Sequence, residues 1–111
     1  MASLPIVEWK MNADGFTGGL FLDAIDNNNN VTGRTRLIHE QEIQVKGAWD
    51  ESAGKLDFIR LDNDPNQLQS FTGFLFNDGS GKTLAGTFQV YKGNTINGLD
   101  VGWYAHMDLI F

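Results

Sequence analysis

Apolar and polar residues alternate with period two along most of this chain. Between 42 and 50, Ile43, Val45, Gly47 and Trp49 share one face, and Glu42, Gln44, Lys46 and Asp50 share the other, interrupted only by Ala48. Between 101 and 111, Val101, Trp103, Ala105, Met107, Leu109 and Phe111 share a face, opposed by Gly102, Tyr104, His106, Asp108 and Ile110. Such alternation sends successive side chains to opposite faces of a β-strand. No window sustains the i, i+3, i+4, i+7 apolar spacing of a capped helix. The pattern predicts eight strands, at 5–11, 15–23, 31–38, 42–50, 55–61, 69–77, 83–91 and 101–111. The segments between them hold turn residues: Asp14-Gly15, the asparagine run after Asp26, the Asp50–Gly54 loop, the turn around Pro65, Asn77–Gly81 and the tip Lys92–Gly98.

Glycine punctuates these strands. A β-former, a short residue or lysine, and then glycine recur as Phe16-Thr17-Gly18, Val31-Thr32-Gly33, Val45-Lys46-Gly47, Phe71-Thr72-Gly73 and Leu84-Ala85-Gly86, with Val101-Gly102-Trp103 as a variant. The segment 56–61 is a strand without the mark. Short, evenly spaced strands with turn signals between them predict an all-β sandwich or barrel, here an antiparallel up-and-down meander. Glycine inside such strands lets them bend and coil. The segment 16–23 also echoes 71–78, as one hairpin solution used twice or as a duplicated binding hairpin.

The totals narrow the class. At 111 residues and 41% hydrophobic content, the chain 1–111 is predicted to be a single ordered domain able to bury its own core. It has no cysteine, which removes disulfides, thiolate metal sites and cysteine nucleophiles. The net charge is −6 and the few basic residues are scattered, so neither a nucleic acid nor an anionic membrane is an expected partner. No signal-peptide pattern is visible at the N-terminus. The pattern leaves the compartment open.

The segment 69–77 is apolar on both faces. Phe71, Gly73 and Leu75 point one way, Phe74 and Phe76 the other. A strand apolar on both sides is covered on both. Phe74 and Phe76, with Phe21 and Tyr91 as candidate neighbours, are therefore read as a homo-oligomer interface, or as the contact face of a protein–protein module.

Few residues suggest chemistry. Asp26-x-Asn28-x-Asn30 begins like a calcium loop, but Val31 and Leu37 stand where glycine and a bidentate glutamate are needed. His39 and His106 lie in no zinc spacing. Ser52 and Ser80 sit in loops without a nucleophile elbow. Asp62 and Asp64 flank Asn63 as turn formers do. No enzyme, metal or cofactor is expected. Arg60 follows Leu56 and Phe58 at period two, so it points inward near one barrel end. There it is either an anion receptor paired with Glu8, Asp62 or Asp108, or a strand-end arginine reaching for water. Trp9, Trp49 and Trp103 are either core plugs or the lining of a mouth suited to sugars or flat rings. Trp9, Trp49, Arg60 and Trp103 are the candidate ligand-binding set, for a small molecule or glycan.

Two stretches resemble the avidin and streptavidin family. Phe71-Thr72-Gly73-x-x-Phe76-x-Asp78-x-x-Gly81-Lys82, followed by Thr87, is similar to that family's late hairpin. Gly47-x-Trp49 with Gly54 is similar to its G-x-W-x-x-x-x-G element. The resemblance implies an eight-stranded up-and-down barrel that assembles into oligomers and binds a small molecule, biotin in the family. On this alignment the family's biotin-binding asparagine and serine fall on Glu51 and Lys55, and a tryptophan falls on Gln89. Charged groups suit a ureido ring poorly, so tight biotin binding is not expected. A lipocalin-like calycin barrel fits the strand period equally well.

Overall fold

The structure, a computed structural model, describes residues 3–38, 41–60, 68–92, 95–96 and 101–108. Every regular element among them is a strand: β1 (Glu8–Ala13), β2 (Phe16–Ile25), β3 (Asn30–Leu37), β4 (Ile43–Asp50), β5 (Lys55–Arg60), β6 (Leu68–Asn77), β7 (Gly81–Lys92), β8 (Thr95–Ile96) and β9 (Val101–Asp108). Each predicted strand has a counterpart within a few residues. The two-residue β8, paired only to the end of β7, was not foreseen.

Each strand from β1 to β7 pairs antiparallel with the next. β9 then pairs with both β7 and β1. Eight strands thus close into a barrel with no free edge among them, which removes the unpaired backbone that makes open sheets stick.

One row of paired residues shows why the glycine marks matter. Leu56, Gly73, Gly86 and Trp103 are successive partners across β5, β6, β7 and β9. A methyl group on Gly73 would lie 2.5 Å from Cζ2 of Trp103, and one on Gly86 would lie 1.9 Å from the Thr72 carbonyl oxygen. Gly73 leaves room for the indole, and Gly86 lets β6 and β7 approach closely. The indole Nε1 donates to the Thr72 and Thr87 carbonyls at 3.0 and 3.2 Å. The next row holds Phe58, Phe71 and Phe88. Their rings stack with centroids 4.8 and 4.6 Å apart, and Trp103 meets Phe58 and Phe71 edge-on at 5.5 Å. Offset and edge-to-face contacts are the favoured aromatic geometries. The 16–23 echo of this hairpin is not structurally equivalent, because Phe16 is 58% exposed at the barrel rim whereas Phe71 is fully buried.

The two barrel ends differ. At the end where β4 turns into β5, the N-terminal segment folds across the opening. Leu4 is buried there, and Leu22 N donates to the Val7 carbonyl. Trp9 Nε1 donates to the Pro5 carbonyl at 3.2 Å. Glu51 Oε1 accepts from Ser3 N at 2.5 Å and from Trp49 Nε1 at 2.7 Å, and Ser3 Oγ donates to Oε2. The end where β1 turns into β2 is the barrel mouth.

Candidate functional site

The mouth holds a cavity of about 300 Å3 lined by Ala13, Asp14, Phe16, Leu37, Arg60, Gln69, Phe88, Val90 and Val101. These residues come from β1, β2, β3, β5, β6, β7 and β9, so the site exists only because the sheet closes. Phe88 belongs to the aromatic stack, which therefore forms part of the floor. The lining is mainly apolar. Gln69 and Arg60 face each other across β5 and β6, and Asp14 stands in the β1–β2 turn with a left-handed backbone, φ 51°.

Arg60 is 3% exposed. Its Nε donates to Thr35 Oγ1 at 3.0 Å and its Nη1 to Gln69 Oε1 at 2.6 Å. The strand-end arginine reaching for water is thus corrected: period-two geometry draws the side chain inward, and hydrogen-bond acceptors hold it there. Of the three suggested carboxylate partners, Glu8 and Asp108 lie exposed towards the capped end, and Asp62 lies outside the described residues.

The three tryptophans do not line this cavity. Trp9 and Trp49 are 0% and 3% exposed at the capped end, and Trp103 fills the middle of the barrel. Each indole N–H has a protein acceptor, as a buried indole requires. Of the four candidate binding residues only Arg60 lies in the mouth. Sequence reasoning missed Gln69, Phe88, Val90, Leu37, Val101 and Ala13. Gln69 lay at period two from Phe71, and Phe88 at period two from Leu84, but nothing in the sequence brought seven strands together.

The Gly47-x-Trp49 alignment is corrected in the same way. It places the family's ligand positions on Glu51 and Lys55 at the capped end, and on Gln89, whose neighbours Phe88 and Val90 take the inward direction. None of the three lines the mouth. In chain order, the tryptophan of the opening strand is Trp9.

The other candidates take structural places. Asp26 accepts from Asn28 N at 2.8 Å and Asn30 N at 2.9 Å, and its pKa is lowered chiefly by the Asn30 bonds, so the calcium-like spacing is an asparagine-rich turn. His106 lies on the outer face, with Nδ1 2.6 Å from Asp78 Oδ2 and Nε2 2.7 Å from Asp108 Oδ1. The bond to Asp108, then the charge of Asp78, hold its pKa above the ordinary value. Asp78 is lowered to about 2, first by the Thr83 hydroxyl. No cluster of three or more metal-ligating side chains occurs among the described residues. His39, Asp62 and Asp64 lie outside them.

Phe74 and Phe76 are 52% and 48% exposed on the outer wall, and Tyr104 on β9 is 50% exposed. Phe74, Ala85 and Tyr104 are in register across β6, β7 and β9. Phe21 lies on β2, four strands from β6 either way round the barrel, beneath the Arg34 guanidinium at 5.2 Å. It is therefore not a neighbour of the Phe74 patch. The Tyr91 side chain lies outside the described residues.

No protein-family model matches the sequence. No curated protein matches it significantly. The structure is similar to a low-affinity mutant of shwanavidin, with a TM-score of 0.72 and 18% identity over 97% of this chain and 100% of that one. It is similar to the biotin-binding protein from chicken, at 0.72 and 12% identity over 92% and 94%. Intact afifavidin without ligand matches at 0.63 and 18% identity over 98% and 87%. The chain folds as an avidin-like, closed, eight-stranded antiparallel β-barrel.

Proposed function

We propose that this protein is a non-catalytic binding protein that holds a small molecule in the barrel mouth. The observation that carries the reading is the apolar cavity with the buried Arg60 and its partner Gln69 in its wall. Concave apolar sites with a few placed polar groups are the usual form of small-molecule sites. The avidin-like fold supports it by analogy, since shwanavidin and afifavidin are solved as biotin complexes in the same fold. A glycan is less well served, because a sugar wants many hydrogen bonds and an exposed indole, and the indoles are elsewhere. A thermal-shift screen of small amphipathic molecules tests the reading, since a ligand of the native state raises Tm by mass action. Hits should lose their effect in Val90→Trp, which fills the mouth. Hits unaffected by that change would place binding elsewhere.

The exposed Phe74, Phe76 and Tyr104 favour a second, compatible reading, in which the outer wall of β6, β7 and β9 joins copies of this chain. A different protein on the same wall is the alternative.

A further inference from the structure

We infer that His106 is the pin of a pH-operated latch at the seam of the barrel: protonated, it ties Asp78 in the β6–β7 turn to Asp108 at the end of β9, and on losing a proton it releases Asp108 and keeps Asp78. The latch does not depend on what the mouth binds. β9 is the strand that closes the barrel, and Asp108, its last residue, pairs with Gly81 at the start of β7. Both ring nitrogens face a carboxylate oxygen, Nδ1 at 2.6 Å from Asp78 Oδ2 and Nε2 at 2.7 Å from Asp108 Oδ1. An ionised carboxylate only accepts, and a neutral imidazole has one N–H and one lone pair. Both contacts are therefore satisfied together only when both nitrogens carry protons.

The surroundings favour that state. Lys10 on β1 is in register with His106 on one side, and Thr83 on β7 on the other. Glu8 shares the outer face of Lys10, and Tyr104 precedes His106 by two residues on β9. Lys10 opposes the imidazolium, but it is exposed and screened by water, whereas Asp78 and Asp108 bond the ring directly. The two arms are unequal. Asp78 is 21% exposed and also accepts from Ser80 N at 3.1 Å, Gly81 N at 2.9 Å and the Thr83 hydroxyl. Those bonds hold it in place whatever the charge of the ring. Asp108 is 63% exposed, and its bond among the described residues is to the ring alone. Water replaces such an exposed contact at little cost. The proton therefore leaves Nε2 for solvent, the remaining one stays on Nδ1 facing Asp78, and the Nε2 lone pair turns Asp108 away.

NMR of the imidazole nitrogens across a pH titration tests this, with His39→Gln leaving His106 as the single histidine. In the folded protein His106 should titrate at a higher pH than in urea. Below that point both nitrogens should carry protons, and above it the neutral ring should be the Nδ1–H tautomer, the opposite of a free imidazole side chain. Asp108→Asn should lower the titration point and leave the Nδ1–H tautomer unchanged. A raised folded pKa stabilises fully below the unfolded value and ceases to do so as pH rises through the folded one. Wild-type Tm should therefore fall across the His106 titration, and Asp108→Asn should flatten that fall. Equal titration points in the folded and urea-unfolded protein would overturn the latch. A neutral ring protonated on Nε2 would overturn it too, because Asp108 would then be the arm that holds. If His39→Gln does not fold, subtracting the His106→Gln spectrum from that of wild type identifies the His106 signals, and the same outcomes decide.

Discussion

Gly73 shows how much a single missing side chain can hold in place. Its bare Cα lies against the Trp103 indole, a rigid ring fixed by two carbonyl acceptors and by Phe58 and Phe71. Gly73→Val therefore cannot be absorbed by swinging a flexible chain aside. It should destabilise by about 1 to 3 kcal/mol, despite valine's preference for strands. The denaturant midpoint measures this, and an unchanged midpoint would show that the barrel tolerates a side chain there. Glu51 is a second telling residue. The Ser3 hydroxyl first, then the Trp49 indole, lower its pKa to about 2 from 4.5. A carboxylate whose folded pKa is depressed stabilises the fold fully above its unfolded value and loses that contribution as pH falls through the folded one. Wild-type stability should therefore drop between about pH 5 and 2. Glu51→Gln should flatten part of that drop. Identical acid profiles for the two proteins would remove Glu51 from the account. His106 runs in the opposite sense: its raised pKa makes its contribution complete below about 6.5 and lost as pH rises through the folded value.

At the scale of elements, β6 does two jobs. Its inner face supplies Phe71 to the aromatic stack and Gly73 to the indole, while its outer face leaves Phe74 and Phe76 in solvent. Burying an exposed phenylalanine is worth roughly 1.5 to 3 kcal/mol, which gives this wall a reason to associate. Phe74→Ser with Phe76→Ser should convert an oligomer into a folded monomer by light scattering. A wild type already monomeric at tens of micromolar would remove the self-association reading. The N-terminal segment is the other decisive element, because it closes one end. Leu4→Ala should cost about 2 to 3 kcal/mol, near the low end for buried leucine, since a terminal segment can settle into the gap. Thermal unfolding with an unshifted Tm would show that the cap is dispensable.

For the whole molecule, the N-terminal segment closes one end of the barrel, and the described residues of the other end line a cavity. The same fold holds biotin in shwanavidin and afifavidin, 16 and 18% identical to this chain, but a fold does not carry a ligand with it. A ureido ring presents two N–H donors with its carbonyl, and a guanidinium in the wall can serve only the carbonyl. Biotin should therefore bind more weakly than about 1 μM by calorimetry. Sub-micromolar affinity would show that the mouth keeps the ligand of its structural neighbours.

Strand positions, the absence of helix among the described residues and the inward direction of Arg60 were all legible in the sequence. They depend on the period-two alternation of side chains and on turn residues, which act over a few positions along the chain. Phe74 and Phe76 could be assigned to the outer face for the same reason. The tertiary structure alone decided which end holds the cavity and which the N-terminal segment covers. It set Trp9 and Trp49 at the capped end with Glu51, separated Phe21 from Phe74, and joined Gln69, Phe88, Val90 and Val101 to Arg60. Those relations depend on register between strands distant in sequence and on the closure of β9 onto β1 and β7. A local hydrophobic pattern specifies which face a residue takes, but not which residues of other strands it will meet there.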